Sequence, residues 1–380
     1  MRSRIYLKNG RVLDPASGVD KQLDVEITDG RITALGKLEP TEGEVYDAEG
    51  CCVVPGLIDY HTHLFEGGSQ FGFDADLVLP SGVTTAVDAG TAGTAAYEVL
   101  HRQLQNRRVR TFTFLNLSPM GQLGSGLNEN LDPALVRPEE MRELVHRYPD
   151  EIRAVKVRIS RSIVGALGSA PLFKAIETAQ ELGLPVVVHS TDPCIPMEEL
   201  AQALRPGDVL CHVFHGKGST ILDENGRVKR QLWEAQERGV RMDAANGRNN
   251  FAFAVARAAL EQGFKPDIIS TDLTAATVQN GQMARNLPFL MSKYLAMGMT
   301  LTDAVERTTA APAKALGLQD GSGTLAVGAR ADVAVLEVKQ RPCRFMDAGG
   351  VTLDGSQMLA NLLTIQDGRV VYNSNQLPCL

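Results

Sequence analysis

Pro55-Gly-Leu-Ile-Asp-Tyr-His-Thr-His63 places two histidines, two positions apart, at the end of an apolar run from Cys52 to Ile58. In a β-strand, residues i and i+2 point to the same face. Asp59, His61 and His63 are therefore expected along one side of a buried strand. Two neutral imidazoles with a carboxylate behind them suit a zinc-type metal, the nitrogens as ligands and Asp59 as an acceptor behind them. The same spacing also occurs among packed core histidines, so the weight of the motif depends on the rest of the chain.

Downstream, short apolar runs alternate with helical stretches. The runs are Val53–Ile58, Thr84-Thr-Ala-Val-Asp, Thr111-Phe-Thr-Phe-Leu-Asn, Ala154-Val-Lys-Val-Arg-Ile, Pro185-Val-Val-Val-His, Val209-Leu-Cys-His-Val-Phe, Val240-Arg-Met-Asp and Asp267-Ile-Ile-Ser-Thr-Asp. Helical patterns lie between them over Pro138–His146, Pro171–Leu182, Glu198–Leu204 and Phe251–Gln262. From His61 to Asp272 the strand-to-strand step averages about 30 residues, one β-α-β repeat. Eight such runs indicate an α/β fold of the (β/α)8 TIM barrel type over residues 53–320. A doubly wound open sheet would need a Gly-rich turn after an early strand, and none is found.

Both ends of the chain carry a different grammar. Asn9-Gly10, Asp29-Gly30 and Asp367-Gly368 stand between short apolar stretches and read as hairpin turns. Gly328-Ala-Arg-Ala-Asp-Val-Ala-Val-Leu reads as a strand after a turn. Neither end has the apolar residues for a core of its own, which favours one small composite β domain from residues 1–52 plus 321–380 over two separate ribbons. Before the second segment, Thr300 with Asp303 three residues on marks a capped helix start.

The 380 residues carry a net charge of −7 and are 44% hydrophobic and 22% charged. With no long basic run, a nucleic-acid partner is not expected. No stretch of about 18 apolar residues suggests a membrane helix. The opening Met1-Arg-Ser-Arg-Ile-Tyr-Leu-Lys reads as a strand without a secretory apolar region. The six cysteines, Cys51, Cys52, Cys194, Cys211, Cys343 and Cys379, form no CxxC pair. That fits reduced thiols and a cytoplasmic location. Cys211 reads as a packed residue, since its neighbour His212 faces the other way along a strand.

The polar residues at the ends of the runs form a set. They are His61 and His63, Lys156, His189, His212 and Asp272, and they include four of the seven histidines. In a (β/α)8 barrel the strand ends converge on the active site. Lys156 stands between Val155 and Val157 in a strand, where an unpaired ammonium is costly. Either it pairs with Asp88 or Asp243, or its amine has reacted with carbon dioxide. The carbamate would be an anionic ligand able to bridge two cations, with four histidines and an aspartate as further ligands.

At these residues the chain resembles the amidohydrolase superfamily. The resemblance rests on Pro55–His63, on the ordered Lys, two His and Asp, and on Pro312-Ala-Lys-Ala-Leu-Gly-Leu followed by Gly323-Thr-Leu-Ala-Val-Gly-Ala-Arg-Ala-Asp332. It implies the binuclear form of the dihydroorotases, hydantoinases and related deacetylases. His61, His63 and Asp272 would hold the more buried of two divalent metals, expected to be zinc. His189 and His212 would hold the other, with carboxylated Lys156 bridging. Dihydroorotases follow the HxH pair with Leu-Arg, whereas this chain has Leu64-Phe65. The run Val155-Lys-Val-Arg-Ile-Ser-Arg-Ser-Ile-Val-Gly165 is closer to barrel deacetylases, some of which act on acetylated hydroxy acids.

The implied activity is hydrolysis of an amide or ester of a small acylated acid. Two cations on one bridging water make hydroxide available near neutral pH, and Asp272 would carry the proton to the leaving group. Arg158, two residues past Lys156, or Lys217 in His215-Gly-Lys-Gly218 would hold the substrate carboxylate. The alternatives are a cyclic amide hydrolase and a non-catalytic scaffold, which would lack ligands. A mononuclear deaminase would not need Lys156. Self-association into a homo-oligomer stays open.

Overall fold

The computed structural model describes residues 4–124, 126–127, 129–278 and 281–377. Met1–Ser3 and Cys379 lie outside them. Seven strands form one curled parallel sheet in chain order: Leu57–Thr62, Val83–Asp88, Arg110–Asn116, Ile152–Arg158, Val186–His189, Val209–Cys211 and Arg241–Asp243. Helices lie between successive strands, among them Tyr97–Leu104, Pro138–Arg147, Ala170–Glu181, Met197–Ala203 and Arg230–Glu237. The arrangement is an α/β fold.

The expected eighth strand is not a regular one. Ile268–Leu273 instead makes single bridges, Ile268 with Asp243 and Leu273 with Thr62, at the two edges of the sheet. Its bonds there include Asp272 N–H to His61 O at 2.7 Å and His63 N–H to Leu273 O at 3.0 Å. Asp272 breaks the extended run by adopting a left-handed backbone, φ 52°.

Side chains alternate across the parallel sheet. Val155 and Val157 pack outward with the helices. Ala154 joins an inner cluster with Tyr60, Phe112, Phe114, Val187 and Val209, so Lys156 and Arg158 on the same face also point inward. The apolar inner layer is covered at one end by Ala313 and Leu316. The opposite, C-terminal end holds the polar residues.

The second sheet runs β-order Arg369–Asn373, Thr352–Gln366, Val333–Met346, Cys51–Pro55, Arg4–Asp14, Val19–Thr28, Arg31–Gly36, with Glu44–Asp47 added beside Arg4–Asp14. It thus draws strands from both ends of the chain. Asp29-Gly30 and Asp367-Gly368 form the expected turns, all four residues at positive φ. Asn9-Gly10 does not. Arg4–Asp14 is one strand in which Asn9, at φ 61°, makes a bulge. Asp24 anchors that bulge through the Asn9 N–H at 2.9 Å, and Gly10 is required because a Cβ would lie 2.5 Å from Val53.

The apolar run at Cys52–Ile58 is likewise not one strand. Cys51–Pro55 pairs in the second sheet and Leu57–Thr62 in the parallel one. Gly56 is the joint: a Cβ there would lie 2.3 Å from Thr84 Oγ1 and 2.9 Å from Asp332 Cβ.

Candidate metal centre and active site

Five of the six candidate side chains stand near or just past the C-terminal end of a parallel strand, and Asp272 lies in the bridging segment 268–273. His61 and His63 end the first strand. A register break between Asp59 and Thr62 turns this segment, so the simple alternation of Asp59, His61 and His63 on one face fails. Asp59 is not the acceptor behind the imidazoles. It accepts from the Thr271 N–H at 3.0 Å and hydroxyl at 2.6 Å. Burial raises its pKa to about 7 against those hydrogen bonds.

The acceptors behind the histidines come from elsewhere. Thr91 spends its hydroxyl proton on Asp88, 2.6 Å away. Its oxygen therefore accepts from His63 Nδ1–H at 3.1 Å. Asp243 Oδ2 lies 3.4 Å from His61 Nδ1 and takes its proton. The Ala245 carbonyl takes the Nδ1 proton of His212 at 2.7 Å. Burial lowers the pKa of His212 to about 3 and that of His61 well below its ordinary value, so both imidazoles are neutral. With Nδ1 as the donor, the Nε2 atoms of His61 and His212 are lone pairs turned inward, and the Nε2 of His63 turns inward beside them.

His63 Nε2 is 3.1 Å and His61 Nε2 3.6 Å from Asp272 Oδ1. The Nε2 of His212 is buried and has no hydrogen-bond partner among the described residues. Burial pushes the Asp272 carboxyl up, but its contacts with the imidazoles of His63, His61 and His212 outweigh that and hold Asp272 below the usual carboxylate range. Buried imidazole nitrogens gathered around a carboxylate oxygen, one of them without a partner among the described residues, form a set that could hold a cation.

His61, His63 and Asp272 form one group whose ligand atoms all lie within 4.8 Å of one another. His189 and His212 stack edge to face with centroids 4.2 Å apart, and the His212 ring is 5.1 Å from His61. Burial lowers the pKa of His189 well below the ordinary value as well. Lys156, 1% exposed, reaches His61 Nε2 at 3.3 Å. Among the described residues it pairs with neither Asp88 nor Asp243, so the alternative of an ion pair is not met. All six residues of the strand-end set therefore meet in one place.

A second group, His61 with Cys211 and Asp243, uses the opposite side of the His61 ring. Its thiol donates to Asp243 Oδ2 at 3.5 Å, and burial raises the Cys211 pKa well above its ordinary value. Cys211 is a packed thiol, as the sequence suggested.

Several contributors were not visible in the sequence. Asn250 donates to Asp272 Oδ2 at 2.7 Å and accepts from Thr191 at 2.9 Å. Gly247 leaves room for Asp272, since a Cβ there would lie 2.2 Å from Oδ2. Gly90 does the same for Lys156, whose Cβ and Cγ would each lie 2.5 Å from an added Cβ. His212, Ala245 and Asp272 all have positive φ, at 64°, 34° and 52°. Strain of this kind collects at functional sites. These residues came from loops and turns, where no periodic pattern announces them.

The site opens into a cavity of about 530 Å³. Arg158, Lys217 and Arg248 line it. Arg158 Nε lies 2.8 Å from both carboxylate oxygens of Glu129, and its Nη2 also bonds Glu129. Phe65, at the position where an arginine was considered, is 5% exposed and packed in the core.

The Amidohydrolase family profile matches residues 52–372. A deacetylase of Enterococcus faecalis is 28% identical over 97% of this chain and 99% of its own length. A deacetylase of Brucella anthropi is 32% identical over 85% of this chain and 81% of its own length. Among solved structures, an adenine deaminase superposes with TM-score 0.90 at 28% identity, covering 98% of this chain and 100% of that one. A dihydroorotase superposes with TM-score 0.88 at 29% identity, covering 98% of each. Profile match and relatives together establish that this chain belongs to the amidohydrolase family.

Proposed function

We propose that the protein is a metal-dependent deacetylase-type hydrolase that cleaves the amide or ester of a small acylated acid. The observation that carries this is the convergence of three imidazole Nε2 atoms on the Asp272 carboxylate and Lys156, with His212 Nε2 buried and without a hydrogen-bond partner among the described residues. Neutral nitrogen and carboxylate donors of this kind suit zinc. His61, His63 and Asp272 would hold one ion and His189 and His212 a second, with Lys156, carboxylated on Nζ, between them. Bound there, the ions supply a nucleophilic water near neutral pH and polarise the acyl carbonyl.

The chain's own residues do the rest. Asn250 fixes Asp272 by its Oδ2, leaving Oδ1 turned to the imidazoles. Asp272 takes the proton of the attacking water and returns it to the leaving nitrogen or oxygen. Thr91, Asp243 and the Ala245 carbonyl hold the three rings in the tautomer that keeps Nε2 free. The buried Phe65 leaves position 65 without a cation, which speaks against a dihydroorotase-type grip on substrate.

At the level of fold, the seven-stranded sheet with Ile268–Leu273 across its open edges supports a (β/α)8 barrel over 53–320. The second sheet supports a small composite unit from 1–52 plus 321–380, with the crossover between the two at Gly56. Elemental analysis before and after chelation, with hydrolysis of N- and O-acyl acids as the readout, tests the function. We expect activity to vanish with the metal and return on adding zinc. Undiminished hydrolysis by metal-free protein would overturn the reading.

A further inference from the structure

We infer that Arg248, with Lys217 as its companion, grips the carboxylate of the substrate, and that Arg158 is a positioning residue. The inference rests on reading the cavity as a hydrolase site for small acylated acids. Arg158 is the cation nearest to Lys156 in sequence, yet its guanidinium is already committed. Glu129 takes it through Nε and Nη2, and the Glu129 side chain is 0% exposed. Asn116 Nδ2 adds a contact to the same carboxylate at 3.4 Å. Withdrawing Arg158 toward a substrate would leave a buried carboxylate without its counter-charge, which is strongly unfavourable.

Arg248 and Lys217 differ on both counts. Both are exposed, both line the cavity, and neither makes an ion pair among the described residues. The acid on the same cavity wall, Asp192, faces Arg161 instead, at 3.7 Å. Lys217 and Arg248 follow the sixth and seventh parallel strands, which are neighbours in the sheet. They therefore approach the cavity from adjacent sides.

The backbone of Arg248 is tied to the reacting centre. Gly247 donates to the Thr271 carbonyl at 2.9 Å and sits against Asp272 Oδ2. Asn250 donates to that same oxygen. Arg248 lies between these two anchors, so its long side chain starts beside Asp272 and ends at the cavity. Lys217 is anchored less closely, by its N–H on His215 Nδ1 at 3.3 Å. A planar guanidinium can take a carboxylate through two parallel hydrogen bonds, and an ammonium cannot. Arg248 is accordingly the main contact.

The test compares acids with their neutral counterparts on the metal-loaded enzyme. The probes are N-acetylglycine and O-acetylglycolate, each paired with its primary amide. Wild type is expected to prefer the acids. Arg248→Met should lose about 10–100-fold in kcat/KM on the acids, mainly through KM, as for one charge-assisted contact, and its acid-over-amide preference should collapse. Arg248→Lys should recover part of that preference, and Lys217→Met should erode it less than Arg248→Met does. Arg158→Met should lower both members of each pair alike and keep the preference. An acid preference that survives in Arg248→Met, or one that collapses only in Arg158→Met, overturns the assignment. Equal turnover of acid and amide by wild type overturns the carboxylate grip while the hydrolase reading stands. Turnover of neither by wild type removes both.

Discussion

Lys156 and Lys293 are both buried, 1% and 0% exposed, and their surroundings are opposites. Lys293, on the helix Leu287–Ala296, stands 3.6 Å from the Phe251 ring centroid and 5.1 Å from that of Phe253. It also donates to the Met346 carbonyl at 3.4 Å. Burial lowers its pKa to about 7, and the charge of Asp347 opposes that. A π face, a carbonyl and a nearby carboxylate are what a buried ammonium needs. Among the described residues Lys156 makes no ring or carbonyl contact through its Nζ, and it shares its site with the imidazoles and Asp272. It meets a histidine lone pair among other nitrogen donors, in space held open by Gly90. Burial of a lysine therefore does not by itself mark a candidate site, and what sets Lys156 apart is its place among the imidazoles.

The sharpest way to break this comparison is to remove each lysine in turn. Lys156→Ala should lower kcat/KM on the order of 10³-fold, the scale of lost metal assistance. Elemental analysis should show metal content falling from two ions to one or fewer. Added small carboxylic acids should restore part of the activity. Full activity with two ions in that variant would make Lys156 a structural lysine like the other.

Asp272→Asn should reduce kcat by about 10²–10⁴-fold, the range of general acid–base roles. Its thermal unfolding in the metal-free state should stay close to wild type, which separates catalysis from folding. Turnover within a few-fold of wild type would transfer the proton-carrying role to another group.

Gly247→Ala should have a smaller effect on activity, about 10-fold, because the added Cβ must displace Asp272 Oδ2 or Asn250. The glycine sits at φ 53°, so backbone strain adds roughly 1–3 kcal/mol of instability. Denaturant unfolding and steady-state kinetics read the two losses separately.

Lys293→Met should be smallest in activity, within a few-fold of wild type, and should act on stability. The folded pKa of Lys293 lies below its unfolded value. From about pH 7 up to about 10 the unfolded chain holds that proton and the folded chain does not, so wild-type stability gains from this group as pH rises. Below about pH 7 both states are protonated and the gain is absent. The slope contributes up to about 1.4 kcal/mol per pH unit in that window. Lys293→Met should lose that slope, and its stability relative to wild type should therefore be most favourable at pH 6. A variant with an unchanged pH slope would show that Lys293 stays charged in its aromatic box.

Much of the site was legible because strand periodicity and barrel geometry act together. A polar residue ending an apolar run is exceptional, and His61, His63, Lys156, His189, His212 and Asp272 each end or interrupt one. Their partners were not legible. Glu129 against Arg158, Thr91 against His63 and Asn250 against Asp272 are pairings between separate loops, and loop sequence carries no period. Asp59 was misplaced because a register break cannot be read from alternation. Asn9-Gly10 resembled a turn because the left-handed backbone it favours serves a bulge equally well.

The sequence by itself determined the alternation of strands and helices, the residues that converge at the strand ends, and the family they mark. Local chemistry suffices for these, since burial periodicity and residue type are properties of short segments. Only the tertiary structure decided which nitrogen of each histidine turns inward, which arginine is already spoken for, and which buried lysine stands among imidazoles. Those outcomes depend on distances between residues remote in the chain. A proton goes to whichever acceptor folding brings within about 3 Å.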